Sequence, residues 1–300
     1  MIDRSLLIAR LLVATFAFGL AVPALADPAT EEVAAVEEDG GLLGRFSGVI
    51  QADFTNVYFF RGILQERDGF IAQPWGELYF SAYSSETGFL RDVTFGAGVW
   101  ASFHTEETLA VDGPHSLYET DWYPLISLSF AHNISLTTTY FFYTSPNGAF
   151  QTAQELNFKL AWDDSETFGR WAMGPYVNFA VETHNTAFGP NEGAGVQMGV
   201  GPTLFTLFEG SDMPVTFSAP IELGLAIDDY YEEEDGDENT FGYLNFGLSA
   251  SVPLAFIPET AGAWSFTLTG KGWYLSNTLA EANRGRSLYP QFIASLGVEF

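Results

Sequence analysis

Period-two alternation of apolar and polar residues, sustained from Phe46 to Phe300, constrains this chain more than any other feature. Such alternation puts successive side chains on opposite faces of a strand. Segments that carry it fall at 46–60, 70–83, 92–103, 118–131, 134–145, 152–163, 170–183, 193–208, 214–228, 241–254, 263–275 and 287–300. Gly, Asn, Asp, Ser and Pro cluster between them, as turns require. The pattern predicts an all-β fold of about 12 antiparallel strands (about 10–14), each long enough to cross a bilayer when tilted.

The two faces of these strands decide what surrounds them. Leu156, Phe158, Leu160 and Trp162 oppose Glu155, Asn157 and Lys159, and Val215, Phe217, Ile221, Leu223 and Leu225 oppose Thr216, Ser218 and Glu222. Leu288, Phe292, Leu296, Val298 and Phe300 likewise oppose Tyr289, Gln291, Ser295 and Glu299. Along the apolar register no charged residue occurs. A soluble barrel would turn its apolar face inward and carry mixed charge outside. Here the polar face is mostly Gly, Ser, Thr, Asn and Tyr with sparse charge. That composition suits a lumen, and only helices or closed barrels satisfy their backbone groups in lipid. The expected architecture is therefore a transmembrane antiparallel up-and-down β-barrel over residues 45–300.

Ahead of the barrel, Arg4 and Arg10 flank the apolar run Leu11–Leu20, and Ala24-Leu25-Ala26 forms a small-residue cleavage site. Residues 1–26 read as a secretory signal peptide, cut near Ala26. Residues 27–44 carry six acids and no base, which reads as a flexible acidic periplasmic leader. The whole chain has 38 acidic against 11 basic residues and a formal charge of −27. Nucleic acid is excluded as a partner, because binding phosphate needs clustered Lys and Arg. With no Cys, there is no disulfide framework, thiolate metal site or Cys nucleophile. No cofactor is expected.

Turn lengths orient the barrel. The connections 84–91, 131–134, 163–170 and 208–214 are short, and 104–117, 184–192, 228–240 and 276–286 are longer. Short turns belong to the periplasmic side and long loops to the outer side. Trp162, Trp171 and Trp264 then fall near periplasmic strand ends, and Trp122, Phe142 and Tyr274 near outer ends, as two aromatic girdles. The terminal Phe300 resembles the signal read by the barrel-assembly machinery, the expected partner in biogenesis. Six prolines, Pro74, Pro124, Pro175, Pro202, Pro220 and Pro290, lie within the alternating segments. Each removes a ladder hydrogen bond, so bulges or shortened strands are expected, most of all at Pro202 and Pro220.

The stretch Tyr58-Phe59-Phe60-Arg61-Gly62-Ile63-Leu64-Gln65, followed by Gln73-Pro74 and Phe95-Gly96-Ala97-Gly98-Val99-Trp100, resembles the Y-x-(F/W)-R-G-I-S-Q signature of TorF-type outer-membrane porins. The resemblance covers residues 46–103, with Leu64 where that family usually has Ser. It implies a Gram-negative outer-membrane channel and names no cargo.

Residues on the polar face supply the candidate lumen: Asp53, Glu77, Asp121, Glu155, Lys159, Glu182, Glu222 and Lys271, with the aromatics Trp100, Tyr123, Tyr176 and Trp273. If the 61–69 loop is a symmetric hairpin, Asp53 and Glu77 stand opposite each other, with Lys159 and Glu222 at similar depth and Arg61 folding inward to bridge the pair. An excess of acids in a low-dielectric bore favours cations. The expectation is a porin-like channel passing small solutes, cation-preferring or neutral, with the aromatics packing the bore or stacking on solute rings.

Two other classes stay open. A barrel plugged by a loop, with 104–117 as the plug, would be a structural or surface protein without transport. A lipid hydrolase would need His and Ser together on the lipid face. Of His104, His115, His132 and His184, only His132, beside Ser135, comes near that. Residues 228–239 hold eight acids but do not follow the EF-hand order, and read as a solvated outer loop. The pattern sets neither solute nor oligomeric state.

Overall fold

The computed structural model describes residues 42–111, 113–186, 191–231 and 239–300. The signal segment, nearly all of the acidic leader and most of the acidic 228–239 loop lie outside them. In chain order the strands are β1 (Phe46–Thr55), β2 (Tyr58–Phe60), β3 (Ile63–Glu66), β4 (Ile71–Ser84), β5 (Leu90–His104), β6 (Leu117–Phe130), β7 (Ile134–Thr144) and β8 (Ala153–Trp162). They continue as β9 (Tyr176–His184), β10 (Ala194–Val200), β11 (Thr203–Leu207), β12 (Val215–Ser218), β13 (Ile221–Asp228), β14 (Phe241–Pro253), β15 (Ala263–Leu275) and β16 (Leu288–Glu299).

All but β2 and β3 join one antiparallel sheet, and pairing of β1 with both β4 and β16 closes it. Counting β10–β11 and β12–β13 as one crossing each, the wall has 12 strands. The two interrupted crossings answer to proline. Gly201-Pro202 separates β10 from β11, and Ala219-Pro220 separates β12 from β13. Ala219 N–H still reaches Pro202 O at 3.0 Å, and Gly247 N–H reaches Pro220 O at 2.9 Å, so the wall bends there and stays bonded. Pro175 lies just before β9, outside the strand expected to contain it. The connection after β8 runs on to that point through two short helical turns (Ser165–Phe168 and Gly169–Trp171), longer than the turn expected there.

The predicted faces are the observed faces. Outward-pointing Phe46, Ile50, Phe54, Leu78, Phe95, Trp122, Phe158, Leu160, Phe179, Leu268 and Phe292 are exposed, a belt that only lipid makes favourable. Their alternates Asp53, Glu77, Asp121, Glu155, Lys159, Glu222 and Lys271 are buried in the interior. Among the described residues no helix is long and apolar enough to cross a membrane, so crossing falls to the strands. The seam closes on Gly48 and Phe300, which exchange backbone hydrogen bonds of 2.8 and 3.0 Å. The Phe300 ring covers Gly48, where an added Cβ would come within 2.7 Å of it.

Interior tyrosines use the wall in the same way. A Cβ on Gly98 would sit 2.2 Å from the Tyr123 ring, one on Gly199 2.4 Å from Tyr176, and one on Gly224 2.2 Å from Tyr243. Each ring lies on a strand position that has no side chain to hold it off.

Candidate functional site

Between Thr55 and Ile71 the chain leaves the wall. β2 and β3 pair only with each other and fold into the interior at the long-loop end. Phe60 pairs with Ile63 across a two-residue turn, Arg61-Gly62, in which both φ angles are positive (44° and 86°). Positive φ at both central residues marks the turn whose twist suits a tight hairpin. Gly62 serves sterically as well, since a Cβ there would lie 2.8 Å from Leu279.

Aromatic residues carry the hairpin across the bore. On one side Tyr58 packs against Trp100 at 5.4 Å and donates to Glu119 at 2.8 Å, while Phe60 meets the Tyr143 ring edge-on at 5.3 Å. On the other, Phe59 stacks on Trp273 at 5.0 Å and meets Tyr289 at 5.2 Å. Asn283, just after the short helix Asn277–Ala282, clamps the turn: its Nδ2 donates to Gly62 O at 2.6 Å and its Oδ1 accepts from Leu64 N at 2.8 Å.

At the tip, Arg61 meets the wall of β8. Its Nη2 donates to Glu155 Oε1 at 2.6 Å and to Asn157 Oδ1 at 3.2 Å, and its Nη1 bonds Glu155 Oε2 and the Tyr230 hydroxyl. Tyr143 also donates to Glu155 at 3.1 Å, and Tyr231 to Arg61 O at 3.2 Å. Burial works against the guanidinium charge, but Glu155, Tyr230 and Tyr143 together hold the pKa above the ordinary arginine value.

A second anchor lies at the return strand. Thr108 donates to Glu66, so the Thr108 oxygen accepts from His104 Nδ1–H at 2.7 Å, leaving Nε2 to accept from Ser102 at 2.8 Å. Burial would raise the Glu66 pKa, yet Thr108 and the backbone N–H groups of Asp68 and Arg67 lower it below the ordinary glutamate value. Ser102 and His104 are two residues apart on one face of β5, a Ser–His contact on the lumen side and not on the lipid face where a hydrolase pair is expected. Both face inward and are buried, with Tyr58 ring 6.2 Å from His104 and Gln73 donating to Ser102 at 3.3 Å. His132, the other candidate, sits in an exposed turn with φ 69°.

The proposed Asp53–Glu77 pair does not form. Asp53 faces Gln73 and Glu77 faces Val49, because the hairpin removes its residues from the ladder and the two strands meet again at Thr55 and Ile71. Arg61 does fold inward, as expected, but onto Glu155. Asp53 instead accepts from Gln51 at 2.8 Å, and Glu182 accepts from Gly193 N at 2.8 Å. Glu222 accepts from Tyr243 at 2.7 Å and from Tyr176, over whose ring Lys159 Nζ sits at 4.4 Å. Tyr123 packs on Phe141 at 4.9 Å, and Trp273 donates to Gln291 at 2.8 Å. The wall contributes seven buried acids (Asp53, Glu77, Glu119, Asp121, Glu155, Glu182, Glu222) against two lysines (Lys159, Lys271). Arg61 and Glu66 of the hairpin cancel, so among the described residues the formal excess is five acids. Toward the short-turn end, the hydroxyls of Ser127, Ser129, Ser135, Ser251 and Thr267 are on half-buried residues, in contrast to the sealed layer around the hairpin.

The plug is therefore the first loop, not 104–117. Tyr143, Tyr230 and Asn283, which hold it, were not singled out in the sequence. Its own signal was present in Phe60-Arg61-Gly62-Ile63, where X-Gly between apolar residues marks a two-residue hairpin turn.

No family model matches the chain, and no curated protein matches it. Among solved structures it is similar to an outer-membrane channel of Pseudomonas putida F1, at 11% identity and TM-score 0.43, over 85% of this chain and 95% of that one. It is also similar to the outer-membrane phospholipase of Salmonella typhi, a dimer with bound calcium, at 10% identity and TM-score 0.38, over 84% and 90% of the two chains. LpxR from Salmonella typhimurium is similar at 10% identity and TM-score 0.38, over 83% and 99%. Such values concern the shape of the fold and do not choose among activities.

Proposed function

We propose that this chain is an outer-membrane channel for small polar solutes, cation-preferring, and closed in the conformation described above by the β2–β3 hairpin. The observation that carries the reading is the nature of the filling. Wall side chains alone fill a barrel of about eight strands, and a 12-strand wall encloses a wider bore than that. Here a separate hairpin occupies the long-loop half, and its polar contacts end on charged residues of a polar wall. Removing it would leave a bore lined by Asp53, Glu77, Asp121, Glu222 and the lysines, with five acids in excess, and such a bore concentrates cations. The apolar belt and the secretory leader support an outer-membrane location, with the short turns in the periplasm.

Planar-bilayer recording tests this. The refolded wild type should conduct rarely, and a variant with residues 58–66 replaced by a short Gly-Ser turn should give stable steps with a cation-directed reversal potential in a salt gradient. Silent bilayers from a correctly folded plug-less barrel would favour a second reading, a structural barrel without transport. That reading draws support from the depth of burial, with Trp273 0%, Asp53 1% and Glu155 1% exposed.

A further inference from the structure

We propose that Arg61 is a built-in stand-in for the solute: the place it fills on β8 is a receptor for guanidinium-bearing small molecules, which compete with the hairpin for it. The physiological sense rests on the channel reading; the binding chemistry does not.

The receptor belongs to the wall and to the connection after β13, which supplies Tyr230. Glu155 is fixed by donors that are not part of the hairpin, Tyr143 at 3.1 Å, Asn157 Nδ2 at 2.6 Å and Tyr230 at 3.0 Å. Asn157 Oδ1 is in turn held by Asn178 Nδ2 at 2.7 Å. When the hairpin moves, these groups keep a carboxylate, an amide oxygen and a phenol oxygen converging on one planar space. Both carboxylate oxygens engage Arg61, which is the fork geometry of a guanidinium and not of an ammonium. Tyr230 meets the guanidinium end-on through its hydroxyl, its ring centre 5.6 Å from the guanidinium carbon. Glu155 is 1% exposed with the hairpin in place, so loss of the Arg61 side chain alone would leave a buried carboxylate without its counter-charge. A diffusible guanidinium relieves that state as Arg61 does. Free arginine and the arginine of a short peptide share this chemistry.

Arg61→Ala supplies the test, since it leaves a cavity shaped like the missing group. Its thermal unfolding in detergent should shift upward, saturably, with methylguanidinium or arginine on the order of 10 mM, far below denaturing concentration. Lysine should need about tenfold more, the preference worth one charge-assisted hydrogen bond. Adding Glu155→Gln should abolish the shift. An equal shift with sodium chloride, or one that survives Glu155→Gln, overturns the proposal. If Arg61→Ala does not refold, Arg61→Gly, which suits the positive φ and leaves the same cavity, replaces it in the same titration. In bilayers, arginine should block the current of the Arg61→Ala pore. A thermal shift together with a silent plug-less barrel would reject the channel reading and keep the receptor, and conductance of the plug-less barrel without a guanidinium-specific shift would do the reverse.

Discussion

Arg61 and Glu155, 94 positions apart in the chain, share a two-pronged ion pair in the barrel interior, one partner on the plug and one on the wall. Removing one partner strands the other in a medium that solvates charge poorly. Glu155→Gln should therefore cost about 3–5 kcal/mol of barrel stability by equilibrium urea unfolding. Arg61→Leu/Glu155→Leu, which removes both charges, should cost clearly less than Glu155→Gln. Equal losses would show that the pair is not the latch.

Gly62 carries the turn. At φ +86° and with Leu279 2.8 Å from any Cβ, Gly62→Val should open the hairpin at a cost of about 1–3 kcal/mol from backbone strain alone. Phe59 and Trp273 would then separate, and hydrogen exchange at Ile63 and Leu64 should rise well above wild type while the wall strands keep their protection.

Acid should loosen the return strand in a narrow window. The Glu66 pKa is lowered in the folded protein, so the stability it contributes is fully present above the ordinary glutamate value of 4.5 and lost as pH falls through the lower folded value. Open probability should stay flat from neutral pH to about 5 and rise below the ordinary value. Glu66→Gln should remove that acid-induced part. A rise already complete at pH 5 would assign the effect to another group.

Gly98 and Tyr123 form one unit. Gly98→Ala should destabilise the barrel by about 1–3 kcal/mol through overpacking, because its Cβ would fall 2.2 Å from the ring. Tyr123→Ser in that background should recover much of the loss, with a coupling energy of about 0.5–3 kcal/mol in the double-mutant cycle. Additive losses would mean that the ring moves aside freely.

The wall was legible in the sequence because one residue of slip would turn every Phe and Leu from lipid to lumen, so the faces of β8 or β16 follow from the alternation alone. Proline marked the two interrupted crossings for an equally local reason, a missing N–H. The register between β1 and β4 was not legible: Asp53 and Glu77 align only if every residue between the strands stays in the ladder, and 56–70 leave it to pack on Trp100, Trp273 and Tyr143, residues distant in sequence. Ser102 and His104 share a face by simple alternation, but that face is the lumen, and a lipase-like pair is expected on the side that meets lipid. Tyr230 and Tyr231 sit beside an acidic run that suggests a solvated loop, yet both phenols are buried against the hairpin.

The rings that rest on Gly98, Gly199 and Gly224 have a consequence for how such a barrel diversifies. On the channel reading, its calibre is set by positions that no passing molecule touches. Adding one methyl group behind Tyr123, Tyr176 or Tyr243 would tilt a whole phenol inward and narrow the passage, while every residue lining it kept its identity. Related proteins that filter different cargo should then be distinguished at these three glycines sooner than at the charges that meet the cargo.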